Sequence, residues 1–436
     1  MRKFYCFLAV TMISMPAVGL AQKVLTLQDC INTALKNNWD YRSAVWSNKS
    51  AGNDLWSAWG NFLPRVDLSF SNNSLAFGPS SPIIDAQGIP RPGTAAFEVK
   101  SYSAGFQVSQ VIFDGGANIY NLSGKLAAKN SSDYSLLFNK QNLVFQVKEA
   151  YYNLLKAKML LEVQREVVKR GEQQLRIAQS RYELGSASKS DFLKAKVQFG
   201  QDQLALVKAE NQVKVAQASL NAVIGLKVDE EFEVQEVLEQ PQMNFSYQEC
   251  VNLAYKNHPS IKQTDIDVDV AEAGMRVARA GYLPTVSVGG GYTWRGSAID
   301  NIDGFWDNDY QWGVGLNVSF NLFEGFATQT RYLNARNQIK IAKETLEKTK
   351  SDVAFEVKQA FLGIEENQKS ISVTEENVSS AEEDLNLVQE KYRLGAASIL
   401  ELLDAQVSFQ TAKSDNVQAL FDYNLAVARL ERAIGK

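Results

Sequence analysis

At four expected helix starts a serine or threonine is followed three residues later by a carboxylate: Thr26 with Asp29, Ser188 with Asp191, Ser246 with Glu249 and Ser398 with Glu401. At that spacing hydroxyl and carboxylate satisfy two orphan amides at a helix start, so the first chemistry open to these acids is capping. Asp404 differs. It falls about a turn beyond Glu401, where capping gives no reason for a carboxylate, and its charge is left to act on whatever aqueous space it faces. Other reactive types are sparse. His258 is the only histidine; it precedes Pro259 at a helix boundary, where a surface or capping position is expected, and no second imidazole exists to share a metal. Cys30 and Cys250 occupy equivalent places in two helices, either as buried free thiols or as a bridge. Neither is set up with a histidine as a nucleophile, and no phosphate loop is present. Gly289-Gly290-Gly291, Gly313 and Gly315 fall inside alternating strands, where they read as small wall residues. The expectation is a chain without catalysis, metal or cofactor.

The elements that must position these groups are written twice. Residues 28–37 (QDCINTALKN) return as 248–257 (QECVNLAYKN), and Leu63-Pro64 returns as Leu283-Pro284, both 220 residues later. Beyond the strands the offset is 210. Phe113-Asp114-Gly115 answers Phe323-Glu324-Gly325, YELGSAS at 182–188 answers YRLGAAS at 392–398, and Ile224-Gly225 answers Ile434-Gly435. A repeat this long is a duplicated domain. The expected organisation is a first structural repeat over 22–225 with a hairpin at 65–113, a linker over 226–244, and a second repeat over 245–436 with a hairpin at 285–323. Each half reads as helix, hairpin, long helix, tight turn, long helix.

Residues 1–21 read as a secretory signal peptide, with Arg2 and Lys3, an apolar run from Phe4 to Ala17 and a small-residue cleavage site at Gly19-Leu20-Ala21. Removing Arg2 and Lys3 takes the formal charge from −4 to −6. No basic patch stands out, which leaves a nucleic-acid role without support. None of the nine prolines lies between Pro92 and Pro241 or after Pro284. Proline costs about 3 kcal/mol in a helix interior, so uninterrupted helices can run over 116–183 and 326–393, each on the order of 100 Å long. In the last helix Ile399, Leu402 and Phe409 belong to one apolar stripe, and Leu403 and Val407 to a second beside it. A long antiparallel bundle and a wall of helices both satisfy that pattern. Gly185 and Gly395 suit left-handed helix ends.

Four segments alternate apolar and polar residues with period two: 66–71, 102–109, 285–294 and 311–322. They suit the half-buried strands of a soluble sheet, and equally tilted strands crossing a bilayer. Their connections, 72–101 and 295–309, are long and polar. Trp56 and Trp59, ahead of the first strand, suit either a membrane interface or packing between helices. A sheet in lipid must close, because unpaired edges there are prohibitive. Four strands are too few for closure, since barrels begin at about eight. Several copies must therefore associate.

The repeated Leu-Pro before a strand, the exits VIFDGG (111–116) and NLFEGF (321–326), and the two Tyr-x-Leu-Gly turns, all in order and all doubled, resemble the outer-membrane efflux proteins. These are the TolC-like channel-tunnels of tripartite export pumps. The resemblance covers the whole mature chain. It implies an α+β membrane protein: a homotrimer whose twelve strands, four per chain, form an outer-membrane barrel continued by a long periplasmic helical barrel that closes like an iris. It also implies a periplasmic adaptor and a proton-driven or ATP-driven inner-membrane transporter as partners. Small toxic molecules, or secreted polypeptides, would be the cargo. A coiled-coil scaffold without transport is the competing reading, and it has no need of two apolar-faced hairpins. By position, Leu184, Gly185, Leu394 and Gly395 match the turns that adaptors engage. Asp191 and Tyr392 match residues that hold the iris, and Glu401 and Asp404 match the acidic ring at its narrowest point. Ala397 stands where some relatives carry a latching arginine.

Overall fold

The computed structural model describes residues 24–84, 86–236 and 246–436. The expected signal peptide and residues 237–244 of the expected linker lie outside the described residues. In chain order the elements are β1 (Val24–Leu25), α1 (Leu27–Asn37), α2 (Trp39–Gly60), β2 (Arg65–Phe77), β3 (Ile83–Ile84), β4 (Pro90–Arg91), β5 (Phe97–Phe113), α3 (Ala117–Glu183) and α4 (Lys189–Ile224). There follow β6 (Glu233–Val234), α5 (Tyr247–Asn257), α6 (Pro259–Ala280), β7 (Thr285–Gly296), a 3-10 turn (Ile299–Gly304), β8 (Tyr310–Ser319), α7 (Ala327–Arg393) and α8 (Ile399–Ala433). The proline-free stretches are indeed continuous helices: α3 and α7 each run for 67 residues. The segment before each hairpin, expected as one helix, is two. α1 and α5 stop at Asn38 and His258, whose extended backbones cap them before α2 and α6 begin, and the residue before Pro259 is disfavoured from helical geometry.

The chain divides into two compact units. One comprises Met1–Trp39, Leu143–Met243 and Leu362–Arg429. Its described residues hold α1, the parallel pair β1–β6, α4, most of α8 and the later parts of α3 and α7. Leu154, Leu155, Leu220 and Leu402 are among its buried core residues. Cys30 is buried there as a free thiol, and burial pushes its pKa to about 11.

The other unit comprises Asp40–Asn142, Asn244–Phe361 and Leu430–Lys436. It carries a four-stranded antiparallel sheet in the order β2-β5-β7-β8. Its first hairpin is longer than the alternation indicates, because pairing runs from Arg65↔Ser109 out to Phe77↔Phe97. The connection is therefore 78–96 rather than 72–101; the polar run Ser71-Asn72-Asn73-Ser74 hides strand that the ladder continues through. Cys250 in this unit is also buried and free. His258 is buried rather than at the surface, and its side chain makes no cap hydrogen bond. Phe138 packs beside it, with ring centroids 6.1 Å apart.

Candidate functional site

Two parts of the chain hold groups that the fold leaves open. The first is the sheet. Over 66–70, 102–108, 286–294 and 312–318 period-two alternation puts the even-numbered side chains on one face, and that face is largely apolar: Leu68 on it is 85 % exposed and Leu316 69 %, while Trp294 is buried. The opposite face is polar and small. Ser69, Gln107, Ser109, Thr293 and Gln311, with intervening glycines, line a concavity of about 540 Å³. Among the described residues β2 and β8 are edge strands without a second partner. Among the described residues no helix is long and apolar enough to cross a membrane.

The second part lies in the other unit, at the turns joining α3 to α4 and α7 to α8. Gly185 takes a left-handed backbone (φ 74°), and Gly395 does the same (φ 77°). At each, an amide just past the helix reaches back to a carbonyl of the last turn: Ser186 N to Arg181 O at 2.8 Å, and Ala396 N to Lys391 O at 2.8 Å. This six-to-one bond is the Schellman closure, which strongly favours glycine. No atom lies within 4 Å of where a Cβ would stand at either glycine, so the backbone angle alone requires the residue. Each turn then presents a leucine to solvent, Leu184 at 82 % and Leu394 at 72 % exposure.

The following helices start as their caps dictate. Asp191 N donates to Ser188 Oγ at 3.1 Å while Ser188 Oγ donates to Asp191 Oδ2 at 2.8 Å. Glu401 N donates to Ser398 Oγ at 3.2 Å, and that hydroxyl donates to Glu401 Oε1 at 3.1 Å. Asp191 also accepts from Ser188 N at 3.4 Å, which completes its capping box, whereas the Glu401 carboxylate is engaged by the Ser398 hydroxyl. Asp404 lies exposed one turn further along α8.

Tyr392 is buried in a cluster with Leu385, Ile399, Leu402, Ala405 and Phe409, and Ala397 packs against the same cluster. Tyr392 and Asp191 do not meet through a hydrogen bond. The tyrosine ring instead lies under the Arg181 guanidinium, 4.6 Å from its centroid, and Arg181 Nη2 donates to Arg393 O at 2.9 Å. Sequence reasoning missed Arg181. The signal was available: it directly precedes the Tyr-x-Leu-Gly turn, in the last helical turn, where a cation faces free carbonyls.

A model of the outer membrane efflux protein family matches residues 30–226 and 250–436. Outer membrane protein TolC of Vibrio cholerae is 24% identical over 416 residues, covering 94% of this chain and 90% of its own. Alkaline protease secretion protein AprF of Pseudomonas aeruginosa is 23% identical over 415 residues, covering 93% of this chain and 83% of its own. Among solved structures, the Campylobacter jejuni CmeC outer membrane channel superposes with a TM-score of 0.80 at 16% identity, over 94% of this chain and 85% of that one.

Proposed function

Because the chain belongs to the outer membrane efflux protein family, and is thus an outer-membrane protein with a TolC-like fold, we propose that it is the exit duct of a tripartite export system. Three copies join edge to edge, β8 of one to β2 of the next, and close a twelve-stranded barrel. The helices of two tandem pseudo-repeats, 22–225 and 245–436, continue it as a periplasmic tunnel. A periplasmic adaptor and an inner-membrane transporter load it, and conduction is passive. The cargo class is small toxic molecules, including drugs; the secretion role in AprF's name keeps polypeptides within range.

The observation that carries this reading is the sheet with an exposed apolar face and two unpaired edges. Water penalises such a face, and lipid penalises such edges. Closure by identical copies in a membrane removes both penalties. A coiled-coil scaffold would have no use for the sheet.

Within the tunnel, we assign Leu184, Gly185, Leu394 and Gly395 to adaptor contact at the two turns. Asp191 and Tyr392 hold the closed iris, and Glu401 and Asp404 form its acidic neck. Asp404 is the strongest of these assignments, since capping accounts for Asp191 and Glu401 but not for it. With Ala397 partly buried against the apolar cluster, packing rather than an ionic latch supports the closed state at that position.

The test is fractionation followed by reconstitution. Detergent-sensitive trimers recovered from outer membranes should form channels in planar bilayers, and Asp404→Ala should change conductance or block by multivalent cations. A monomer soluble without detergent would refute the duct, and an unchanged Asp404→Ala channel would refute the neck.

A further inference from the structure

We propose that the tryptophan-bearing face of α2 seats the first half of α7 from a second copy of this chain, in one fixed register. The inference rests on the edge-to-edge closure above and specifies the helical joint beside it. A joint of the same kind already exists inside the chain, where α6 lies against α3. There the Arg276 Cζ is 5.8 Å from the Tyr120 ring centroid, a Cβ at Gly124 would stand 3.1 Å from that of Ala273, and Ser131 Oγ donates to Asp267 Oδ1 at 2.6 Å. In the doubled sequence α6 answers α2 and α3 answers α7. Shifted by the offsets of 220 and 210 residues, the three contacts become Trp56 with Thr330, Asn53 with Asn334 and Ser47 with Ile341.

All six of these shifted residues are exposed, whereas Ser131 and Ala273 are buried. The opposite side of α2 is taken by α3, through Asn48 Nδ2 to Asp133 Oδ1 at 2.8 Å and Lys125 Nζ to Asp54 Oδ2 at 2.9 Å. The open positions are also the more apolar ones. Trp56, 77 % exposed, stands where α6 has Arg276, and Ile341 stands where α3 has Ser131. Trp46 on α2 and Leu333 and Phe355 on α7 extend the two bare stripes. Water penalises such faces, and each covers the other. The occupant follows from chain order. α2 runs into the free edge strand β2 and α7 leaves the free edge strand β8, so pairing β8 to β2 sets α7 of one copy beside α2 of the next. Trp46 lies two heptads before Gly60 at the end of α2, and Ile341 two heptads after Ala327 at the start of α7. Equal rises from the sheet bring them level, in the register that the internal joint gives. Because two different faces meet, the contact is head-to-tail and can close a ring.

Cysteine pairs in the full chain, joined by a short bismaleimide in intact outer membranes, test the register. Ser47→Cys with Ile341→Cys should yield linked dimers and trimers on a denaturing gel. Ser47→Cys with Lys348→Cys, about 10 Å further along α7, should lose that product, and equal yields would overturn the register. Ser131→Cys with Asp267→Cys, the joint inside one chain, should link without raising the mass. Ser69→Cys with Ser319→Cys, which the same offsets derive from the paired Gly289 and Ser109, reports sheet closure separately. If that pair links copies and Ser47–Ile341 does not, another occupant covers the tryptophans and this inference fails while closure stands. If neither pair links copies, both fall. Trp56→Ala should speed detergent-induced dissociation of the trimer by roughly tenfold or more, the scale of a buried interface aromatic. An unchanged rate would remove the tryptophan from the joint.

Discussion

The turns at 182–191 and 392–401 share a backbone design and differ in what lies beneath it. Both close on a left-handed glycine with the same reach-back hydrogen bond, and both open the next helix on a serine with a carboxylate three residues on. Yet Tyr182 is 38 % exposed and Tyr392 only 7 %. Tyr182 stacks on Phe192 of its own turn, centroids 5.9 Å apart. Tyr392 sits in a six-residue buried cluster. The substitution behind the contrast is at the start of the following helix, where exposed Lys189 stands opposite buried Ile399 in the repeat register. A further contrast follows at the next turn, with Lys194 in the first copy and Asp404 in the second. Turn chemistry is local and is common to the two turns; burial and charge depend on neighbours and differ between them.

The largest test of that contrast removes core from under one turn. Leu402, almost fully buried, should cost about 2–5 kcal/mol as Leu402→Ala in detergent-based urea unfolding. Its repeat equivalent Phe192 is only half-buried, so Phe192→Ala should cost well below the 3–5 kcal/mol or so of a core phenylalanine. Equal losses would mean that the two turns share one environment.

Next come the glycines, where the turns should behave alike. Gly185→Ala and Gly395→Ala both force a Cβ into left-handed backbone without meeting a neighbour. Each should cost roughly 1–2 kcal/mol, and the two values should agree within about 0.5 kcal/mol. A large difference would show that packing, not backbone angle, sets the requirement.

The same division between local and tertiary information explains what the sequence made legible. The caps at Thr26, Ser188, Ser246 and Ser398 form as their spacing implies, and both glycines take the required backbone, because these features depend on residues within one turn of chain. The long helices follow from missing prolines. The outer half of the first hairpin was hidden, since Ser71-Asn72-Asn73-Ser74 pairs through backbone groups that polarity does not report. The position of Arg181 over Tyr392 required a tertiary contact across more than 200 residues of sequence, and no local pattern encodes it. His258 stands at the expected helix boundary, but its burial was not legible for a similar reason: its neighbours are Phe138, Glu356 and Arg432, none of them local.

His258 supplies a second repeat pair for comparison, because its equivalent Asn38 cannot titrate. Burial holds the His258 pKa below its ordinary value; Glu356 pushes it up and Arg432 pushes it down. The folded state therefore prefers the neutral ring. That contribution is fully present above the unfolded pKa of about 6.5 and is lost as pH falls through the lower folded value. Stability should decline on acidification with an added slope of at most about 1.4 kcal/mol per pH unit, and His258→Asn should remove that component. An unchanged acid limb in the variant would place the titration elsewhere.

The smallest expected effect probes the cation that lies over Tyr392. Arg181 lies over Tyr392 and bonds the Arg393 carbonyl, while its repeat equivalent Lys391 is exposed. Arg181→Met keeps the aliphatic stem and removes the charge, so in chloride buffer it should cost about 0.5–1 kcal/mol, the scale of a partly exposed cation–π contact. Lys391→Met should fall within about 0.5 kcal/mol of no change, as surface substitutions do. The pair of values matters more than either one. If both variants are silent, the guanidinium only rests on the ring, and the link between the turns is carried by apolar packing. If both are costly, positive charge at the end of each long helix is acting on its free carbonyls, a local effect common to the two copies. Only a loss confined to Arg181 fits a tertiary contact that one copy has and the other lacks.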